Sequence, residues 1–259
     1  MFPFIHLGHF SVPTFGLMLW LAAVAGAFVM DRSFRRAGIS ADAVGMVAVA
    51  VVAGIVGAKL WHVIDTPIEF REFGWSVLWD RDGFAWFGGL VFGIGALLAQ
   101  GWYAKIGGLK LLDLASPAAA IGYGIGRIGC FLSGDGCYGV PTQLPWGMSF
   151  PNGIDPTLAR VHPTPLYELI AGLLIGGYLW LRGGKKRATG AILGEYLALT
   201  GLARFLVEFV RRNPKILWGL SNAQLASLGC VAAGVVLIVW AACRKSEGPD
   251  EAAAVAKAA

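Results

Sequence analysis

The chain has 259 residues, of which 56% are apolar and 14% charged, with a net charge of +5 and a mean hydropathy of +0.64. An ordinary soluble domain carries about 25% charged residues, so this charged set is too small to coat a globule of such length. Composition therefore excludes a cytosolic enzyme, a nucleic-acid binder and a disordered chain, and fits a polytopic membrane protein whose surface faces lipid.

A helix crosses the bilayer with about 20 mostly apolar residues. Seven such stretches occur, at 10–30, 41–64, 84–104, 111–132, 165–181, 191–210 and 220–243. They predict an all-α membrane protein with seven transmembrane helices. Residues 1–245 form one integral membrane domain in this reading, and 246–259 a short, disordered cytoplasmic tail. No basic region precedes the first stretch and no small-residue cleavage site follows it, so it reads as a span and not as a cleaved signal peptide. The short alternating strands of an outer-membrane barrel are absent from the sequence pattern.

Lys and Arg in loops set orientation. Arg32, Arg35, Arg36, Lys105, Lys110, Arg182, Lys185, Lys186, Arg187, Arg244, Lys245 and Lys257 fall on one side. Arg71, Arg81, Arg160, Arg211, Arg212 and Lys215 fall on the other. The twofold bias predicts the N-terminus outside and the C-terminus inside. The remaining cations, Lys59, Arg127 and Arg204, lie within predicted spans, as do Asp113, Glu168, Glu195 and Glu208. A charge inside the bilayer costs a few kcal/mol or more and marks a site, a watery cavity or an ion pair. Lys59 reads equally as a cation snorkelling to the outer interface. Asp113 and Glu195 sit near inner helix ends and read as interfacial. Arg204 and Glu208 are four apart, which lets them neutralise each other on one helix face. Arg127 has no acid at helical spacing, so it is the strongest pointer to a site.

Residues 133–164, rich in Gly and Pro, are the least membrane-like segment and do not read as a helix. Their Tyr138, Leu144, Trp146, Met148 and Phe150 argue against disorder. The segment reads as an ordered outer loop where a lipid head group and an external partner meet. Just before it, Gly124, Gly126 and Gly129 match G-x-G-x-x-G, but without the strand–turn–helix context of a dinucleotide site. They read either as close helix packing or as space beside Arg127 for a phosphate held by two parallel hydrogen bonds. Cys130 and Cys137 read as a disulfide or as plain small residues. No Cys pair has metal spacing, and neither a metal nor a cofactor is expected. His62 and His162 are candidate bases.

The run GRIGCFLSGDGCYGVPTQLPWGMSFP, then HPTPLYE, then ARFLVEFVRR, resembles the prolipoprotein diacylglyceryl transferases in order and spacing. FGLM in the first span and FGGL in the third fall where that family has its shared patches. The resemblance covers about residues 12–243. It implies a multi-pass enzyme of the bacterial inner membrane. Such an enzyme moves the diacylglyceryl group of phosphatidylglycerol to the lipobox cysteine of a prolipoprotein, forming a thioether and releasing glycerol phosphate. The implied partners are phosphatidylglycerol, prolipoprotein signal peptides and membrane lipids, with no nucleic acid. Arg127 and Arg204 match the family's two arginines, and Glu208 the acid of its R-F-x-V-E patch. Gly88, Gly89, Gly139, Tyr138 and Tyr167 fall at positions implied to bind substrate.

The chain departs from the family pattern. Cys130 and Ser133 replace two Asn, and Asp135 replaces Glu. Phe87 stands where the family has the His of H-G-G-L, Phe15 where it has Tyr, and Thr200 where it has another Tyr. The phosphate clamp is kept while several proton-handling groups are lost. His162 and Asp135 are then the preferred bases, ahead of Glu208, Tyr138 and His62. The alternatives are a divergent paralogue with another acceptor and a non-catalytic phospholipid-binding or transport protein.

Overall fold

The computed structural model describes residues 2–79, 83–184 and 188–246. Arg81, Lys185, Lys186, Arg187 and Lys257, used above for orientation, lie outside the described residues, as does the expected tail from residue 247 on. Helices dominate. The predicted stretches become α1 (Thr14–Arg36), α2 (Ala43–Asp65), α4 (Trp86–Tyr103), α5 (Gly108–Ser133), α6 (Thr164–Gly183), α7 (Ala191–Val207) and α8 (Asn222–Ser246). A short α3 (Pro67–Phe73) follows α2, with Pro67 in its first turn, where the missing N–H costs nothing. Two small antiparallel hairpins were not expected from hydropathy. One pairs β1 (Phe4–Leu7) with β2 (Phe10–Pro13), and the other β3 (Met148–Phe150) with β4 (Thr157–Val161).

Among the described residues, four helices, α1, α2, α6 and α8, are long and apolar enough to cross a membrane. The other three predicted spans do not reach that length and hydropathy, for readable reasons. α7 has 17 residues and carries Glu195 and Arg204. α5 carries Lys110, Asp113, Arg127 and an internal Pro117. α4 is glycine-rich and ends in Gln-Gly-Trp-Tyr.

The described residues form two compact units, one drawn from residues 30–111 and the other from residues 2–29 and 112–246. Within the smaller unit, α2 and α4 pack through glycines. A Cβ on Gly88 would stand 2.3 Å from the Gly57 carbonyl oxygen, so only glycine permits this approach. Lys59 is buried here and does not snorkel: its Nζ donates to the Val77 carbonyl at 3.3 Å and lies 4.6 Å from the Phe84 ring centroid. His62 Nε2 stands 3.1 Å from Glu69.

In the larger unit, α5 meets α6 at Gly124 and Gly172, and α7 meets α8 at Gly194 and Gly234; an added Cβ would approach the facing backbone to 3.1 Å or less at each. Gly124 therefore follows the packing reading, whereas Gly126 faces open space. Asp113 acts as a helix cap. Its carboxylate accepts from the backbone N–H of Gly190 at 2.6 Å and of Leu193 at 2.7 Å, capping α7 from another helix. Glu195 is ion-paired with Arg182. An N-terminal cap contributes about 0.5–2 kcal/mol. Asp113→Ala is expected to destabilise the protein by about 1 kcal/mol, and Asp113→Asn by less, as read from thermal denaturation in detergent.

Candidate active site

The charged site is assembled in the larger unit, at the ends of α5, α6 and α7. Tyr123 and Arg127 are one turn apart on α5, so they share a face. Arg127 Nη2 donates to the Tyr123 hydroxyl at 2.8 Å, and its guanidinium lies 4.7 Å from that ring's centroid. Tyr123 in turn donates to Glu168 Oε1 at 2.9 Å.

Glu168, on the second turn of α6, is 3% exposed and is the hub. Arg127 Nε stands 3.2 Å from its Oε2, Arg211 Nη1 3.1 Å from the same oxygen, and Arg204 Nη1 2.5 Å from Oε1. Glu208, fully buried, completes the set. Its Oε2 faces Arg204 Nη2 at 2.9 Å and Arg211 Nε at 3.8 Å, while Ser221 and Asn213 donate to Oε1. The Arg204–Glu208 pairing expected from four-residue spacing is present. Three guanidiniums against two carboxylates leave one net positive charge in a largely buried cluster. Among the described residues, Arg127 Nη1 has the Cys130 sulfur as its hydrogen-bond acceptor, at 3.9 Å. Sulfur is a weak acceptor, so this N–H gains most from an incoming oxyanion.

A short backbone ladder ties the 133–164 loop to this cluster. Gly139 N–H donates to the His162 carbonyl and Val140 N–H to the Val210 carbonyl, both at 2.8 Å. A Cβ at Gly139 would stand 2.2 Å from that Val210 oxygen, which explains glycine there. The loop has its own core: Tyr138 stacks on Phe150 with centroids 4.9 Å apart, next to Val161 and Phe131. Tyr138 is 2% exposed and donates its hydroxyl proton to the Asp155 carbonyl. His162 Nδ1 stands 3.2 Å from the Tyr167 hydroxyl, which accepts from Trp146 Nε1 at 2.8 Å. Asp135 accepts from the Cys137 N–H at 3.2 Å. Its carboxylate and the sulfurs of Cys130 and Cys137 lie within 4.8 Å of one another, a donor set that sequence spacing did not suggest.

A profile of the prolipoprotein diacylglyceryl transferase family matches residues 3–240. The chain belongs to that family. It is 32% identical to the phosphatidylglycerol–prolipoprotein diacylglyceryl transferase of Clostridium tetani, over 85% of this chain and 90% of that protein. It is 33% identical to the Geobacter sulfurreducens protein of the same name, over 93% and 95%, and 32% identical to that of Pseudomonas putida, over 92% and 93%.

Against this family membership, the candidate residues sort clearly. Arg127, Arg204 and Glu208 come together. Asp135 stands among the two cysteines, and His162 with Tyr167 forms a separate pair beside Gly139. Gly88 and Gly89 lie in the smaller unit, in the packing of α4 on α2, and Phe87 on the first turn of α4 is 63% exposed. Thr200 turns its hydroxyl back to the Tyr196 carbonyl. Two central residues were missed: Glu168, seen only as an acid in a span, and Arg211, counted as a loop cation. The three-residue spacing of Glu208 and Arg211 was a usable signal; the Glu168 contacts come from distant segments and left none. Removing one partner of a buried ion pair costs about 3–5 kcal/mol. Glu168→Ala is therefore expected to destabilise by at least that range in a denaturation assay. Glu168→Ala combined with Arg211→Ala should cost less than the two single changes added together.

Proposed function

We propose that this protein transfers the diacylglyceryl group of phosphatidylglycerol to the lipobox cysteine of prolipoproteins, as its relatives are named for doing. The reading includes seven spans in the bacterial inner membrane, the N-terminus and the 133–164 loop outside, and the C-terminus in the cytoplasm. The observation that carries it is the arginine cluster around Glu168, with Arg127 Nη1 turned to a weak acceptor.

In the reaction, the lipobox thiolate attacks the glycerol carbon bearing the phosphate ester. A carbon–sulfur bond forms and a carbon–oxygen bond breaks. Glycerol phosphate leaves with the electron pair, and the thiol proton goes to a base. The phosphate passes from a diester with one negative charge to a monoester approaching two. A cluster with net positive charge in a low-dielectric site binds the second state more tightly than the first, which is what lowers a barrier. Arg127 and Arg204 are the catalytic cations. Glu168 and Glu208 are positioning residues that hold the guanidiniums splayed, and Arg211 adds charge from the side.

For the thiol proton, His162 is favoured over Asp135. Its Nδ1 is oriented by Tyr167, which Trp146 fixes in turn; Asp135 is committed to the Cys137 backbone. Substrate contacts are assigned to Arg127 and Tyr167. Tyr138 and Gly139 shape the loop, and Gly88 and Gly89 the helix pair.

The test mixes purified protein, phosphatidylglycerol and a lipobox peptide, and follows peptide mass. A diacylglyceryl adduct on the cysteine is expected; none, under conditions where the Clostridium tetani relative reacts, would sink the reading. Loss of one preorganised donor to a developing oxyanion costs about 100- to 1,000-fold. Arg127→Ala should lower the rate by at least that much, while Phe87→His is tolerated or raises it. A fully active Arg127→Ala variant defeats the phosphate clamp.

A further inference from the structure

The proposed transfer assigns no chemical step to the two sulfurs at the C-terminal end of α5. Cys130 lies in its last turn and is buried; Cys137 is half-buried, past the turn that follows. Their Sγ atoms and the Asp135 carboxylate lie within 4.8 Å of one another. The turn between them contains Gly134 and Gly136, with φ of +58° and +80°. These left-handed positions fold the chain back so that residues 130 and 137 meet. Gly134 N–H donates to the Cys130 carbonyl at 3.1 Å, and the Cys137 carbonyl accepts from the Thr164 hydroxyl. Both cysteine backbones are thus held while their side chains converge.

We propose that Cys130 and Cys137 form a reactive thiol pair, a site of reversible disulfide formation directly beside Arg127. The hydrogen bond from Cys130 and then the charge of Arg211 hold the Cys137 thiol below its ordinary range, against burial and Asp135. Cys137 is the more exposed of the two and the attacking thiolate. With a disulfide oxidant, its sulfur bonds to one oxidant sulfur and expels the other as a thiolate. Cys130 then attacks Cys137 Sγ, gives its proton to a released thiolate, and expels the second thiol. Two cysteines are oxidised and one oxidant disulfide is reduced to two thiols. The new bond needs sulfurs about 2.05 Å apart, so the two Sγ atoms must close on each other. The same two sulfurs and carboxylate are chemically suited to a soft divalent cation. The Arg127 guanidinium at 3.9 Å from Cys130 and the Arg211 charge acting on Cys137 oppose a cation there.

The test treats the purified full-length protein with oxidised glutathione, quenches it in acid and digests it for peptide mass mapping. The expected product is a Cys130–Cys137 linked peptide that disappears on reduction. In a Cys230→Ser, Cys243→Ser background, maleimide labels should fall from two to none on oxidation and return with dithiothreitol. Cys130→Ser should leave Cys137 as a stable glutathione adduct; Cys137→Ser should leave Cys130 unreacted. Two labels persisting after oxidation, or Cys130 reacting without Cys137, overturns the proposal. So does protection of both thiols by added zinc in place of disulfide formation. No lipid substrate enters this measurement. A failed transfer assay leaves it standing, and its own failure leaves the transfer reading untouched.

Discussion

A carboxylate surrounded by three guanidiniums constrains everything around it. Glu168 is almost fully buried, and its two oxygens accept from Arg127, Arg204, Arg211 and Tyr123. Like charges held this close repel in a low-dielectric interior, and only the shared anion and Glu208 keep them together. Three separate stretches of chain must therefore arrive at one place: the C-terminal half of α5, the start of α6, and the end of α7 with the turn after it. The glycine contacts of α5 with α6 follow from this. Arg127 reaches Glu168 only if those helices approach more closely than side chains on both would allow, and Gly124 against Gly172 removes the obstacle one turn away.

The loop at 133–164 serves the same end from outside the helices. Its stacked aromatic core makes it rigid, and its ladder to Val210 places the turn bearing Arg211. Arg212, next in the chain, stands over the Tyr138 ring with its guanidinium 4.3 Å from the centroid and pairs with Asp155. Consecutive arginines thus face opposite ways. Arg211 turns to the buried acids and Arg212 to the loop, so loop order and cluster geometry are coupled through one backbone turn.

Much of this was legible in the sequence, for a physical reason. Hydropathy is a sum over neighbours, so the helical stretches stand out, and their ends agree with the structure within a few residues except at α1, which runs on to Arg36. Arg127 and Arg204 stood out because a cation among apolar neighbours is rare. The pairing was not legible, since contacts between distant segments leave no periodic trace. Lys59 illustrates this: an isolated lysine near a helix end looks like a snorkelling cation until Val77 and Phe84 turn out to cover it. Asp113 illustrates it again, because its partners are backbone amides about 80 residues further on, and an amide carries no sequence signature. The two hairpins escaped because they are three to five residues long and lack clean alternation.

The departures from the family pattern have a common direction. The residues that set charge in the cluster, Arg127, Arg204 and Glu208, are kept, while at Cys130, Ser133, Phe15, Phe87 and Thr200 a hydrogen-bonding side chain of the family pattern is lost or exchanged. Cys130 is the sharpest case. A side-chain amide at that position would give Arg127 Nη1 a full oxygen acceptor, and the guanidinium would then be held by three polar partners. A sulfur at 3.9 Å is a weak substitute, so one N–H stays under-satisfied. The Arg127 side chain is 15% exposed, and under the proposed transfer a phosphate oxygen arriving there supplies the stronger acceptor. Under the proposed transfer, the replacement therefore weakens the resting arrangement of Arg127 and widens the difference between its empty and phosphate-bound states, which is the quantity on which a cationic clamp operates.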